Sequence, residues 1–435
     1  MKASYIKNSL LRSINFMNDN LSAFVKHPGV DFTRNRKCPF QLLILSILSM
    51  ETHSLNREIR RSFQAFDLPV PSKSAFIQQR NKLNDKVFPN LFTSLNDTFS
   101  FRKTYRGYHL LAVDGSDINI PPLKEDSDTF VASNTPDVGY YQMHLNALYD
   151  VLEERYAGIL VQPRAQIDER EAFISLLHDN PVKGKRIYLA DRGYFSFNVL
   201  AHLLKSEHFF VLRINSPDAR SSFLKRFSLP AEGEFDTLLD FNITRSKKSC
   251  YSAHPDRFLY IRPDRTFDFI PVGDHSSLYP INVRILRIRL KDGSYEYLLT
   301  NLSATSFSPD VLKHLYQLRW GIETSFRFLK YNIALNNFHS IRRDFIIQEM
   351  FARVILYNLT MLLVHSVSPP HKECKYQYKV SVSDAITTCR DFLINRVKNA
   401  EIKDLLLHYL TAVRPGRSFP RKPRSKRFVP LTNRA

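Results

Sequence analysis

The chain has 435 residues, and its 62 lysine and arginine residues outnumber its 42 aspartate and glutamate residues, which gives a formal net charge of +20 at pH 7. A chain of this length can form two or three domains, and so large a positive excess favours binding to a polyanion, because neutralised phosphates release their counterions. The four cysteines are scattered without paired spacing, which argues against a disulfide framework or a zinc site and suits a reducing cytoplasm.

Composition alone leaves three kinds of basic protein open: a nucleic-acid binder, a structural protein of the ribosomal kind and a binder of membrane surfaces. The two most apolar stretches do not favour a membrane partner. Residues 39–50 are too few to span a bilayer, and residues 349–364 are interrupted by Arg353 and Asn358. The sequence therefore predicts no membrane-spanning helix.

Residues 1–100 are predicted to be helical, because apolar residues recur at helical spacing between Pro39 and Phe66. Ser72 follows a turn that contains two prolines and can cap a helix that begins just after it. Four polar residues lie on or near one side of this helix: Gln78, Gln79, Arg80 and Lys82. A helix-turn-helix that reads DNA and a helical bundle with a solvated face explain the pattern equally well.

Two aspartates follow short apolar runs in residues 101–215. Asp114 ends one such run and is followed by Gly115, and Asp191 ends another and is followed two residues later by Gly193. Each pattern predicts a buried strand with a carboxylate at its carboxyl end, where ligand sites gather in α/β sheets, and a sharp turn at the glycine. A lone aspartate in this position is more often a turn former or helix cap, so the two are informative only with a third acid.

Three further polar residues of this region are predicted to be structural. Asp117 is expected to cap a turn rather than to support a ligand. His144 is interpreted as a satisfied residue in the middle of a strand, and Asp150 as a structural acid at a strand end.

Residues 216–305 separate Asp191 from the third acid and are rich in β-forming segments. So long an interval predicts a β-rich domain inserted into the α/β core. The segment is also basic, and its cations include Arg245, Lys247, Lys248, Arg257, Arg262, Arg284, Arg287 and Arg289. We expect these side chains to grip a polyanion, and an ordinary basic surface is the alternative.

The stretch YQLRWGIETSFRFLK, residues 316–330, contains no proline and is predicted to form one helix. At about 100° per residue, four of its polar side chains fall within an arc of roughly 60°: Tyr316, Arg319, Glu323 and Lys330. Arg327 joins the same stripe. A carboxylate among cations suits a metal ion and a phosphodiester, although a solvated face with the pair Glu323–Arg327 is the simpler interpretation of the stripe alone. Trp320 is expected to pack between this helix and the sheet.

Asp114, Asp191 and Glu323 together form the kind of set that two-metal phosphoryl transfer needs. Mg²⁺ takes oxygen ligands, and in such sites a shared carboxylate holds two ions about 3.5–4 Å apart. One ion activates the attacking water or 3′-hydroxyl, and the other stabilises the leaving oxygen. Nearby arginine and lysine side chains neutralise the phosphate as its charge shifts.

A known family combines these features. The spacing of the stripe resembles the Y-R-E-K signature of the bacterial insertion-sequence transposases named after insertion sequence four, which are DDE recombinases with a ribonuclease-H-like core. The segment DGSDINIP, which begins at Asp114, resembles the family's first aspartate motif, and ADRGY, which contains Asp191, resembles its second. The resemblance spans residues 70–335, more than half of the chain.

By this resemblance Asp114, Asp191 and Glu323 are the catalytic ligands of two Mg²⁺ or Mn²⁺ ions. Tyr316, Arg319 and Lys330 contact the phosphates of the transposon end near the cut, and Arg327 assists them. The resemblance implies an α/β fold in which a ribonuclease-H-like core is interrupted by a β-rich insertion and flanked by N-terminal and C-terminal helical regions. The expected segments are an N-terminal helical, DNA-binding region at 1–100, the catalytic core at 101–215 and 306–340, the insertion at 216–305, C-terminal helices at 341–412 and a basic disordered tail at 413–435.

The implied activity is that of a DNA transposase. Such a protein binds terminal inverted repeats, cleaves the transposon ends hydrolytically and joins the 3′-ends to target DNA by transesterification. Its expected setting is a homodimer in a synaptic complex, associated with the nucleoid in the bacterial cytoplasm. Two alternatives stay open: a related two-metal nuclease without strand transfer, and an inactive or domesticated DNA-binding regulator.

Overall fold

The computed structural model describes residues 1–34, 37–123, 127–132, 139–370 and 376–414. The helices are α1 (Ala3–Asp19), α2 (Phe40–Ser49), α3 (Leu55–Gln64), α4 (Lys73–Asn81), α5 (Val87–Thr98), α6 (Glu169–His178), α7 (Phe197–Lys205), α8 (Ser249–Ser252), α9 (Pro309–Leu318), α10 (Trp320–Arg327), α11 (Arg343–Val364), α12 (Val382–Leu393) and α13 (Ile402–His408). The strands are β1 (His109–Ile120), β2 (Phe130–Ala132), β3 (Gly139–Asp150), β4 (Arg155–Pro163), β5 (Arg186–Ala190), β6 (Phe209–Ile214), β7 (Phe235–Thr244), β8 (Phe258–Tyr260), β9 (Leu278–Arg289), β10 (Tyr295–Thr300), β11 (Gln377–Val380) and β12 (Leu410–Val413). The basic tail predicted at 413–435 lies outside the described residues from position 415 onward, and Val413 belongs to β12.

Helices α1 to α5 occupy the first hundred residues, as the apolar spacing predicts. Ser72 caps α4, because its side chain accepts a hydrogen bond of 3.2 Å from the backbone N–H of Ala75. Two of the four polar residues considered for a DNA-reading face, Gln79 and Arg80, are buried instead. Arg80 is only 1% exposed and points into the protein, where it contacts α11. Its guanidinium therefore stabilises the packing of α4 against α11 and does not face a DNA partner.

Helix α11 packs among the helices of the N-terminal region. It is 22 residues long, and by length and composition it could cross a bilayer, but 89% of its most apolar window is buried inside the protein. The sequence prediction excluded this segment because Arg353 and Asn358 interrupt it. Both side chains have internal partners: Arg353 donates to the carbonyl of Met50, and Asn358 accepts from the backbone N–H of Tyr156 at 2.8 Å. The helix has the burial of a core helix.

One large mixed sheet organises the middle of the chain. Its strand order is β2-β3-β1-β5-β6-β10-β9-β7-β8, with β4 paired to β3. Strands β1, β3 and β4 run antiparallel, whereas β1, β5 and β6 run parallel. The last pair in the register of β1 with β5 joins Val113 to Ala190, so Asp114 and Asp191 are the next residues on two neighbouring strands. The sheet itself brings the two aspartates to one edge.

The insertion at 216–305 is β-rich, as predicted, but its strands extend the central sheet instead of forming one of their own. Strand β10 pairs antiparallel with β6, and β9, β7 and β8 follow outward. This pairing covers the edge of β6, whose backbone groups would otherwise be free to pair with another chain. Leu298 and Leu299, consecutive residues of β10, are both fully buried because layers pack on both faces there.

Three of the arginines predicted to form a basic surface on the insertion are buried instead. Arg245 and Arg287 donate to backbone carbonyls, and Arg284 forms an ion pair with Asp236. These three arginines therefore stabilise the fold from inside the protein and do not add to a basic surface. The exposed cations of this region include Lys247, Lys248 and Arg289.

A buried ion cluster fastens α4 to α11. Arg80 lies 2.9 Å from Glu349, and Glu349 also contacts His339 at 3.2 Å and Arg353 at 3.9 Å. Burial alone would raise the pKa of the Glu349 carboxyl, but Arg80, His339 and Arg353 hold that pKa below its usual range. The ionised carboxylate of Glu349 therefore stabilises the buried cluster.

Glu349→Gln keeps the side-chain shape but leaves Arg80 and Arg353 buried without an opposite charge. We expect this variant to lose about 3–5 kcal/mol of unfolding free energy, measured by urea denaturation. Asp344→Asn is the matched control, because Asp344 pairs with Arg342 at 2.6 Å on the surface and should cost less than about 1 kcal/mol. Equal losses in the two variants would contradict the role of the cluster.

Candidate active site

The two aspartates are held at the sheet edge by their own backbone contacts. Asp114 Oδ1 accepts from the N–H of Gly115 at 2.9 Å, and Asp191 Oδ1 accepts from the N–H of Arg192 at 2.8 Å. Asp191 directly follows β5, as the sequence predicts, and it caps a short 3₁₀ turn. Asp114 does not end its strand, since β1 continues to Ile120. The prediction of a sharp turn at Gly115 is therefore wrong.

The reason for Gly115 is close packing rather than a turn. A Cβ atom at this position would lie 2.2 Å from Nε2 of His144 and 2.9 Å from Oε1 of Glu169. Only a residue without a side chain lets these two groups approach the strand directly after Asp114. Gly193 is different, because a Cβ there would meet its nearest neighbour, Glu169, at an ordinary 3.9 Å.

The segment predicted as one helix over 316–330 is interrupted. Helix α9 ends at Leu318, Arg319 keeps helical angles (φ −51°, ψ −32°) as the cap between the two helices, and α10 follows. A π-helical turn then runs from Phe328 to Asn332 and contains Lys330. A π turn widens the helix by one residue, so Lys330 no longer follows the 100° spacing on which the predicted stripe was based.

Arg319 connects two of the three acids. Its Nη2 lies 2.9 Å from Oε1 of Glu323, and its Nη1 lies 3.8 Å from Oδ2 of Asp114. The residue is only 3% exposed, so the guanidinium acts in a medium that screens charge poorly. Burial would lower the pKa of Arg319, but Tyr316, Glu323 and Asp114 raise it, which keeps the group charged.

Tyr316 connects the third acid to the same group. Its hydroxyl donates to Asp191 Oδ1 at 3.2 Å, and its ring lies 5.5 Å from the guanidinium carbon of Arg319. Arg213 on β6 also approaches Asp191, at 3.7 Å, and reaches Glu296 on β10 at 3.4 Å. Asp114, Asp191 and Glu323 therefore belong to one continuous set of contacts.

The surroundings of Asp114 disfavour the charged form of its carboxyl. Burial raises the pKa of its carboxyl to about 6, the Gly115 N–H and Arg319 oppose that rise, and the carboxylates of Glu323 and Glu169 add to it. A further positive charge would relieve this carboxylate.

The donor set suits a hard divalent cation, because all three acids offer carboxylate oxygens and no sulfur or nitrogen ligand. A bound cation would also favour the ionised form of the Asp114 carboxyl, whose pKa is raised mainly by burial. In the described part of the chain, however, no three His, Cys, Asp or Glu side chains are arranged to hold a metal ion. Arg319 contacts both Asp114 and Glu323.

The other residues of the predicted stripe occupy different environments. Lys330 is half-buried, and its charge helps to lower the pKa of Asp117 after the larger effect of His144. Arg327 is exposed and contacts Thr324 at 3.5 Å. Trp320 was expected in the core, but it is 47% exposed, because Ile322, Ser325 and Phe326 take the inward face of α10.

Sequence reasoning missed the part played by Asp117, His144 and Glu169. Asp117 lies within β1, not in a turn, and its carboxylate contacts Nδ1 of His144 at 2.7 Å. Glu169, the first residue of α6, lies 3.2 Å from the other ring nitrogen. The signal was the antiparallel register that places Asp117 opposite His144, and this register could not be read without knowing how β1 and β3 pair.

Comparison with known proteins adds independent information. A family model described as Transposase DDE domain matches residues 105–359, which include all three acids. A protein of Sinorhizobium fredii (strain NBRC 101917 / NGR234), named "Putative transposase y4zB", is 27% identical over 173 residues, and the match covers 40% of this chain and 41% of that protein. This chain thus matches about two-fifths of the relative's length. A solved structure, the cryo-EM structure of a piggyBac transposase synaptic complex with hairpin DNA, matches over 96% of this chain and 87% of its own chain, at 13% identity and a TM-score of 0.47.

Gly115→Ala tests the close packing beside Asp114. The added methyl group would overlap the buried ring of His144, so we expect a loss of about 1–3 kcal/mol in unfolding free energy, measured by urea denaturation. Gly193→Ala, beside the other aspartate, has room for its methyl group and should change stability far less. A tolerated alanine at 115 would show that His144 and Glu169 are not packed against the strand.

Proposed function

The chain belongs to the family defined by the transposase DDE domain, and on that premise we propose that it is a DNA transposase of an insertion sequence. It would bind terminal inverted repeats, cleave the transposon ends hydrolytically and join the 3′-ends to target DNA. The observation that carries the proposal is the contact of buried Arg319 with both Asp114 and Glu323, while Tyr316 binds Asp191. Acids from three distant parts of the sequence share one network within the family's matched segment.

The three acids are the proposed catalytic residues. Asp114, Asp191 and Glu323 would hold two Mg²⁺ or Mn²⁺ ions, which when bound supply an activated oxygen nucleophile and stabilise the leaving oxygen. In the first reaction, water attacks the phosphorus at the transposon end, and the bond to the 3′-oxygen breaks. In the second, the freed 3′-hydroxyl attacks a target phosphodiester and displaces a target 3′-oxygen.

The cations and the phenol are proposed to position phosphates. Arg319 touches two of the acids, so its guanidinium is placed to exchange a carboxylate for a phosphate oxygen of similar geometry. Tyr316 holds Asp191 through its hydroxyl and would keep that carboxylate oriented. Lys330 and exposed Arg327 extend the positive charge along the DNA backbone.

The assembly follows from the chemistry. Two transposon ends must be joined to one target, so we propose a homodimer in a synaptic complex, working at the nucleoid in the bacterial cytoplasm. The net charge of +20 supports a DNA partner. Residues 1–100 are proposed to read the terminal repeats, through the exposed side of α4 and not through Arg80. The exposed lysines and arginines of the insertion are proposed to hold DNA near the cut. We propose no DNA contact for the C-terminal helices at 341–412.

Glu323→Gln tests the catalytic assignment. The variant removes the charge that ligation needs and keeps the shape, so nicking of a labelled terminal-repeat duplex in Mg²⁺ should fall by at least about 100-fold, with DNA affinity within twofold. Asp310→Asn is the control, because Asp310 is an exposed acid on the neighbouring helix α9 and should leave nicking unchanged. Equal nicking by wild type and Glu323→Gln would contradict the assignment.

A pre-cleaved end distinguishes a transposase from a nuclease of the same fold. We expect the wild-type protein to join a duplex with a free 3′-hydroxyl to plasmid DNA in Mg²⁺ or Mn²⁺, and not after chelation of the metal. Gel electrophoresis of the joined product measures this step. Nicking of intact ends without any joining would favour the nuclease, and DNA binding with neither reaction would favour the regulator.

A further inference from the structure

A second charged group lies beside the proposed catalytic acids and has no part in the mechanism above. His144 on β3 is only 5% exposed and stands between two carboxylates. Its Nδ1 lies 2.7 Å from Asp117 on β1, and its Nε2 lies 3.2 Å from Glu169 at the start of α6. Nδ1 is within hydrogen-bonding distance of Asp117 and Nε2 makes an ion-pair contact with Glu169, so these surroundings favour the imidazolium form of the ring.

The charge state agrees with this geometry. Burial would lower the pKa of His144, but its contacts with Asp117 and Glu169 raise that pKa to about 9. The imidazolium therefore persists at neutral pH. It connects two strands and a helix through one buried positive charge.

This group reaches the catalytic edge through glycine. Because Gly115 has no side chain, His144 and Glu169 pack against the backbone directly after Asp114. Glu169 also lies near Gly193, so its carboxylate is located between the residues that follow the two catalytic aspartates. Its charge contributes to the raised pKa of Asp114.

We propose that His144 is a positioning residue for the first catalytic aspartate. Its imidazolium contacts Asp117 of β1 and Glu169 of α6 together, and so fixes the stretch of β1 that carries Asp114. Without this cation the two carboxylates would repel each other and Asp114, and α6 would lose its hold on the strand. The inference rests on the proposed function, because it assigns His144 a part in that reaction.

His144→Gln in the full-length chain tests the proposal against His109→Gln. His109 is an equally buried histidine at the other end of β1, where it pairs with Asp150 at 3.6 Å, away from the proposed catalytic acids. The readouts are the maximal single-turnover nicking rate, the DNA concentration at half saturation and the melting temperature. We expect His144→Gln to lower the maximal rate about 10- to 100-fold with half saturation within twofold, as for residues that orient ligands. His109→Gln should lower the melting temperature but keep the rate within twofold.

A second variant guards against misfolding and separates charge from packing. Glu169→Gln changes a partly exposed side chain, and in the double variant His144→Gln, Glu169→Gln it removes the carboxylate left without a partner. We expect the double variant to nick faster than His144→Gln alone, because one source of repulsion is gone.

The results have distinct meanings. Wild-type nicking with unimpaired His144→Gln would overturn the positioning role and leave the proposed function intact. A rate loss in both histidine variants that follows their melting temperatures would also overturn it, since stability alone would explain the data. A wild-type protein that neither nicks nor joins would overturn the proposed function and this role with it.

Discussion

Several carboxylates lie together at one edge of the sheet, and the buried guanidinium of Arg319 offsets the repulsion between them. Two like charges about 4 Å apart repel by about 4 kcal/mol at the effective dielectric constant of a protein surface, and more in a drier setting. Arg319 lies against Asp114 and Glu323 and stacks near Tyr316, which in turn holds Asp191. His144 plays the same part for a second pair of acids on the other face of the strand. Arg319 and His144 thus each contact two carboxylates at this edge of the sheet.

Much of the fold could be predicted from local pattern. The apolar runs before Asp114 and Asp191 predicted two buried strands, and the parallel register of β1 with β5 places these residues side by side. The alternation and spacing of apolar residues also predicted the helical N-terminal region and the β-rich insertion. Such features depend on a residue and its near neighbours, so they can be read from one sequence.

The rest depends on contacts between distant segments, which no local pattern encodes. Helical spacing placed Arg80 on a polar side of its helix, where DNA reading and a solvated face were both open, but a partner 269 positions away, Glu349, binds it in the core. The same spacing assigned Lys330 to a single stripe, which the π turn breaks. Gly115 was interpreted as a turn residue, since the approach of His144 and Glu169 is visible only once β3 and α6 are in place. The proposed roles of the three acids still rest on their chemistry and on family membership.

The extension of the sheet by β10 has a mechanical consequence. Glu296 on β10 meets Arg213 on the adjacent strand β6, and Arg213 also meets Asp191. The outer half of the sheet is therefore joined to the proposed catalytic acids by hydrogen-bonded strands and by two successive charge contacts. A tilt of the outer strands therefore shifts the surroundings of the Asp191 carboxylate, which couples the proposed DNA-holding surface of the insertion to the proposed catalytic acids through one sheet.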